Sequence, residues 1–225
     1  MHPDDAKGKV LANDNGKTET WVVVDAEPGS LIYAGLERGV TREDFAAAIE
    51  AGKVEPLLHR FTPRPGDCIM IEAGTVHAIR AGVLLAEIQQ MSDATFRVDD
   101  WGRLGPDGKP RELHVRQALE STDFARGPVD PLTPRALDCR PGNVREGLSA
   151  CPYFALERWT LRQPEDLGSA DRFTILMGLK GSALVRHDGG STRLDFGQTL
   201  LLPAALGPCP VEPAGEAVVL TCVVP

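Results

Sequence analysis

The 225-residue sequence lacks cysteines at metal-ribbon spacing. Its five thiols, Cys68, Cys139, Cys151, Cys209 and Cys222, are odd in number and no two are separated by two residues. A CxxC zinc ribbon is excluded and a disulfide scaffold is disfavoured; free thiols fit a reduced, cytoplasmic protein. No apolar run is long enough to cross a bilayer as a helix. The opening Met-His-Pro-Asp-Asp has neither the basic start nor the apolar stretch of a secretion signal. Positive charge is scarce as well: 24 Lys and Arg stand against 32 Asp and Glu, a net charge of −8. An acidic chain gains nothing from counterion release, so nucleic acid and anionic membrane are not expected partners. A small phosphorylated ligand remains compatible, because a few local cations decide binding at a pocket.

What is present suits a globular β protein. Hydrophobic residues make up 42% and charged residues 25%, and the 23 Gly and 18 Pro supply turns between short strands. Strands are expected at 21–24, 31–33, 57–61 and 68–71, with at least one more in 78–88. In the second half they are expected at 153–161, 173–177, 183–186, 199–202 and 218–224. Two helices are expected. One runs from Thr41 to Ala51, where Thr41 can cap, Asp44 completes a near capping box, and Phe45, Ala48 and Ile49 share a face. The other lies within 112–120. The first dozen residues are polar and show no periodicity. The segment 65–77 and the segment 195–206 share a turn, a short apolar strand and a small-residue turn, a weak internal repeat. Only the first copy ends on a histidine. The expected organisation is a first domain at 1–125, a Pro-rich linker at 126–150 and a second domain at 151–225.

Three segments carry residues suited to chemistry: His2-Pro-Asp-Asp, Gly16-Lys17-Thr-Glu19-Thr-Trp21 and Gly74-Thr-Val-His77-Ala78. Two imidazoles and a carboxylate can hold zinc with one coordination position open, and the same donors suit non-haem iron. Taken alone each is ambiguous: His77 follows an apolar strand, Glu19 sits in an alternating run, and His2 is close to the terminus. Lys17 lies two residues before Glu19 and shares its strand face. Arg97, in Asp93-Ala-Thr-Phe-Arg97-Val-Asp-Asp-Trp-Gly-Arg103, offers a guanidinium fork for a phosphate or an oxyanion. His59, His114 and His187 have no such context.

In order along the chain, these segments resemble those of class I mannose-6-phosphate isomerases of the bacterial short type. Glu87-Ile-Gln-Gln-Met-Ser-Asp-Ala-Thr-Phe-Arg97, Asp100-Trp-Gly-Arg103 and Cys151-Pro-Tyr-Phe-Ala-Leu-Glu-Arg-Trp159 continue the resemblance over nearly the whole chain. The resemblance implies a mainly β fold of two tandem cupin-type (jelly-roll) barrels with a few short helices, the second barrel degenerate and without metal ligands. It implies one zinc ion per chain on His2, Glu19 and His77, and a substrate pocket with Arg97 and Lys17 as catalytic residues. Gln89 and Gln90 receive no role. The family's glutamine ligand, two residues before its first histidine, would precede Met1. The first barrel is therefore expected to lack its N-terminal strands, with weaker metal binding and reduced activity.

The implied reaction interconverts mannose 6-phosphate and fructose 6-phosphate. It moves a proton between neighbouring carbons and requires carbonyl polarisation, a positioned base and a cation at the enediolate. The rival expectations are a non-catalytic or remnant cupin that binds sugar phosphate and a cupin oxygenase with iron at the same ligands. Unpaired sheet edges leave room for a homo-oligomer.

Overall fold

The computed structural model describes all 225 residues, which divide into two compact units, Met1–Pro131 and Leu132–Pro225. Nearly every strand expected from the sequence is found, and every strand pairing is antiparallel.

The first unit contains α1 (Asp5–Leu11), β1 (Glu19–Ala26), β2 (Ile32–Leu36), α2 (Arg42–Glu50), β3 (Leu58–Phe61), β4 (Cys68–Ile71), β5 (His77–Ile79), β6 (Val83–Gln89) and α3 (Val115–Ser121). Its strands form two three-stranded sheets, ordered β4-β1-β6 and β3-β2-β5. Trp21 and Val23 of β1, Ile69 and Ile71 of β4, and Ile32 and Ala34 of β2 pack into one core between the sheets. On its other side β2 turns Tyr33 and Leu36 toward Phe45 of α2 and Ala118 of α3. All five residues of β2 are consequently buried, the pattern of a strand covered on both faces.

The helix start read from Thr41 is correct in detail. Thr41 Oγ1 accepts from the Asp44 amide, and the Asp44 carboxylate accepts from the Thr41 amide at 3.1 Å. The expectation for the first dozen residues is corrected: residues 5–11 are helical, capped by Asp4, whose side chain accepts from the Lys7 amide. Strand β2 kinks at Gly35, which has φ +84 and donates to the Val76 carbonyl. A Cβ there would stand 2.1 Å from the Gly127 carbonyl oxygen.

The second unit contains β7 (Arg135–Leu137), β8 (Val144–Ala150), β9 (Ala155–Leu161), β10 (Glu165–Leu167), β11 (Thr174–Lys180), β12 (Ser182–His187), β13 (Gly190–Asp195), β14 (Thr199–Leu202), β15 (Cys209–Pro213) and β16 (Ala217–Val223). A six-stranded sheet, β14-β11-β16-β9-β8-β7, and a four-stranded sheet, β10-β15-β12-β13, both contribute to a single core. The stretch 126–150 is not a free linker. Its second half forms β7 and β8, and β8 pairs with β9 along most of its length. The Pro and Gly residues there mark the turns before these strands, and the division falls at Pro131/Leu132.

Candidate metal centre

Glu19 opens β1 and Trp21 follows on the same face, so the carboxylate enters the unit beside the indole. His77 begins β5 immediately after the turn 72–76. Four contacts shape that turn. Gly74, at φ +89, donates to the His2 carbonyl, Thr18 Oγ1 accepts from the Ala73 amide at 3.2 Å, and Arg126 reaches both Glu72 (2.7 Å) and Thr75 Oγ1 (3.3 Å). His2 is only 4% exposed. Its neighbours hold it in place through backbone bonds: the Phe96 amide donates to Met1, Gly74 to His2 and Lys17 to Pro3.

The two imidazoles share one arrangement. His2 Nδ1 lies 2.7 Å from the Ala94 carbonyl oxygen and His77 Nδ1 lies 2.9 Å from that of Thr75. A carbonyl can only accept, so both Nδ1 atoms carry the hydrogen and both Nε2 atoms present a lone pair. These Nε2 atoms face one carboxylate: His2 Nε2 is 3.3 Å from Glu19 Oε2, and His77 Nε2 is 3.5 Å from Glu19 Oε1. Trp21 meets the His77 ring edge-on, with centroids 5.3 Å apart. The ligand-type atoms of His2, Glu19 and His77 all lie within 4.8 Å of one another.

The electrostatics fit a cation at this point. Glu19 is 2% exposed, yet its Oε2 has no hydrogen-bond donor. Lys17 Nζ approaches to 3.4 Å without closing a bond. Burial opposes the charge on Glu19, while the Lys17 ammonium beside it favours the charged form. Burial lowers the pKa of both His2 and His77, which keeps the rings neutral and able to ligate. A buried carboxylate whose two oxygens each face an imidazole lone pair, with no hydrogen-bond donor on Oε2, is costly unless a positive ion completes it. These donors could therefore hold a metal.

The structure thus brings His2, Glu19, His77 and Lys17 together. Arg97 stands apart from them on the neighbouring segment. Its amide donates to His114 Nδ1 at 3.4 Å and its carbonyl accepts from the His114 amide. Its charge is felt at Met1, beside His2. Gln90 binds locally, its Oε1 accepting from the Thr18 amide and its Nε2 donating to Asp5.

One group at the site was missed in the sequence. Glu87 of β6 sits opposite Trp21, two pairs along from Glu19 opposite Gln89. This register puts Glu87 diagonally across from Glu19, with Oε1 4.0 Å from Lys17 Nζ. Partial burial and the Glu19 charge raise its pKa to about 7, while Lys17 pulls it down. Only the β1–β6 register reveals this, since the run Val83–Gln89 reads as an ordinary strand.

Comparison with known proteins agrees with this architecture. The family model "Mannose-6-phosphate isomerase, cupin domain" matches residues 146–222. The YvyI protein of Bacillus subtilis (strain 168) is 32% identical over 208 residues, covering 92% of this chain and 65% of that protein. Mannose-6-phosphate isomerase ManA of the same organism is 31% identical over 226 residues, covering 97% of this chain and 69% of that protein. The crystal structure of the mannose 6-phosphate isomerase from Bacillus subtilis superposes with a TM-score of 0.89 at 28% identity, covering 99% of this chain and 69% of that one. The chain spans about two thirds of the length of these relatives.

Proposed function

This chain belongs to the mannose-6-phosphate isomerase family, and we propose that it interconverts mannose 6-phosphate and fructose 6-phosphate with zinc held by His2, Glu19 and His77. The observation that carries this reading is the buried Glu19 carboxylate, its Oε2 without a hydrogen-bond donor, facing the Nε2 lone pair of His2 at Oε2 and that of His77 at Oε1. Two neutral imidazoles and one carboxylate form a catalytic zinc donor set that leaves a position for substrate. Zinc in that place would supply Lewis-acid polarisation of the sugar carbonyl.

The chain's own groups account for the remaining demands. The carbon-bound proton beside a carbonyl leaves only when the developing oxygen charge is stabilised and a base is in reach. Lys17 Nζ, 3.4 Å from Glu19 and 4.0 Å from Glu87, places a cation beside the reacting oxygens. Glu87 and Lys17 are the groups with exchangeable protons at the edge of the centre. Glu87 takes the proton from one carbon and returns it to its neighbour. Arg97, whose guanidinium pairs with no carboxylate, supplies the fork that binds a phosphate or an oxyanion.

The test is conversion of mannose 6-phosphate to fructose 6-phosphate by the purified chain, with and without zinc and chelator, and by His77→Ala. We expect zinc-dependent turnover that chelator abolishes and the variant lacks. Turnover indifferent to chelator, or kept by the variant, would overturn the metal assignment. A zinc-loaded chain with no turnover would overturn the activity.

A further inference from the structure

The second unit keeps an open cavity of about 330 Å³ at one end of its core, a volume within the range of small-molecule sites. Three adjacent strands change character together at that end. Along the inward face of β9, Leu161 and Trp159 give way to Glu157. On β16, Val219 gives way to Thr221, and on β11, Leu176 gives way to Thr174. A barrel end with a purely structural purpose is closed by apolar side chains. Here hydroxyls and charged groups stand among Ala155, Trp159, Leu167 and Val223.

Two features of this lining are unsatisfied. Thr174 is 3% exposed and its hydroxyl has no hydrogen-bond partner, a deficit that a ligand atom would relieve. The charges are also unbalanced. Arg145 is locked by its fork on Glu157 (3.0 and 2.8 Å), with its guanidinium 4.8 Å above the Trp159 ring. Asp166 faces Arg140 at 3.9 Å. Arg172 donates only to the Val224 carbonyl, at 2.9 Å, and has no carboxylate partner. One uncompensated guanidinium thus stands at the cavity, within a chain whose net charge is −8.

We propose that this cavity binds a small hydroxylated oxyanion, a phosphate ester or a hydroxycarboxylate, through the Arg172 guanidinium and the hydroxyls of Thr174, Thr221 and Ser169. Arg172 engages the anionic group, as a fork suited to planar or tetrahedral oxygens. Thr174 and Thr221 meet the ligand's hydroxyls. The Thr221 oxygen already accepts from the Trp159 indole at 3.3 Å, so its own hydrogen is available to a ligand. The site is independent of the His2–Glu19–His77 centre and stands whether or not that centre is catalytic.

The test is a titration of the ¹⁵N-labelled full chain with inorganic phosphate and, separately, with citrate at matched ionic strength. The Trp159 indole and Thr174 amide resonances report on this cavity alone. We expect saturable shifts of both with at least one probe, and the responding probe identifies the anionic group. Arg172→Gln, on an exposed side chain, is expected to weaken binding roughly tenfold. Thr174→Val is expected to weaken it several-fold with an unchanged or higher melting midpoint, because the lost hydroxyl had no partner. Absence of shifts at these resonances with both probes would overturn the proposal. So would shifts unaltered by Arg172→Gln.

Discussion

His2 meets Glu19 through the ring nitrogen left without a hydrogen: Nδ1 is engaged by the Ala94 carbonyl at 2.7 Å, and Nε2 stands 3.3 Å from Glu19 Oε2. His77 repeats the arrangement with Thr75. Two backbone carbonyls thereby fix two tautomers around one carboxylate, and the chain orients these donors before any ion arrives.

Glu19→Gln keeps the shape of the side chain and removes its charge. We expect zinc affinity to fall by at least about tenfold, measured by equilibrium dialysis with elemental analysis. Unchanged zinc stoichiometry at low free zinc would sink the assignment of Glu19.

Arg97→Ala tests substrate recognition apart from metal binding, because Arg97 forms no hydrogen bond or ion pair with His2, Glu19 or His77. Zinc content should be retained, while kcat/KM falls by about a hundredfold or more, the scale of a lost transition-state donor. Intact turnover in a zinc-loaded variant would show that Arg97 plays no part.

Gly35→Ala tests the kink in β2. The alanine would have to hold φ near +84 and place its Cβ 2.1 Å from the Gly127 carbonyl oxygen. Left-handed strain alone costs on the order of 1 kcal/mol, and displacing backbone adds to it. We expect a loss of at least about 2 kcal/mol in urea unfolding of the first unit. A loss below a few tenths would mean that the kink tolerates a side chain.

Asp100→Asn tests the segment that follows Arg97. Arg111 and then Arg103 bond the Asp100 carboxylate and lower its pKa, although burial opposes this. A carboxyl depressed on folding stabilises fully above its unfolded value, near 4. That stabilisation is lost as pH falls through the folded value. The variant should therefore melt a few degrees lower than the parent at pH 6–7, and the gap should close as pH drops below about 4. A gap independent of pH would contradict the ion-pair account.

Much of this was legible in the sequence where local chemistry alone decides structure. The Thr41–Asp44 pair specifies its own helix start. Cys68–Ile71 and Thr199–Leu202 are apolar runs flanked by turn residues and appear as strands at those bounds. Helix α1 was hidden because an apolar stripe does not define it. Val10 is 83% exposed, and the helix rests on the Asp4 cap and on Gly8, where a Cβ would stand 2.6 Å from the Asn15 carbonyl oxygen. β8 was hidden because Val-Arg-Glu-Gly-Leu-Ser-Ala is polar and carries a glycine, and its strand character comes from pairing with β9. At the site, motif order pointed to His2, Glu19, His77 and Lys17. Glu87 enters only through cross-strand register, which no local motif encodes.

The segment 94–97 has a double attachment. The Ala94 carbonyl grips the His2 ring, the Phe96 amide holds the Met1 carbonyl, and the next residue is Arg97. Imidazole and guanidinium are thus mounted on one short lever. Whatever fixes the position of this segment therefore fixes the aim of the His2 ring and the root of the Arg97 side chain at once.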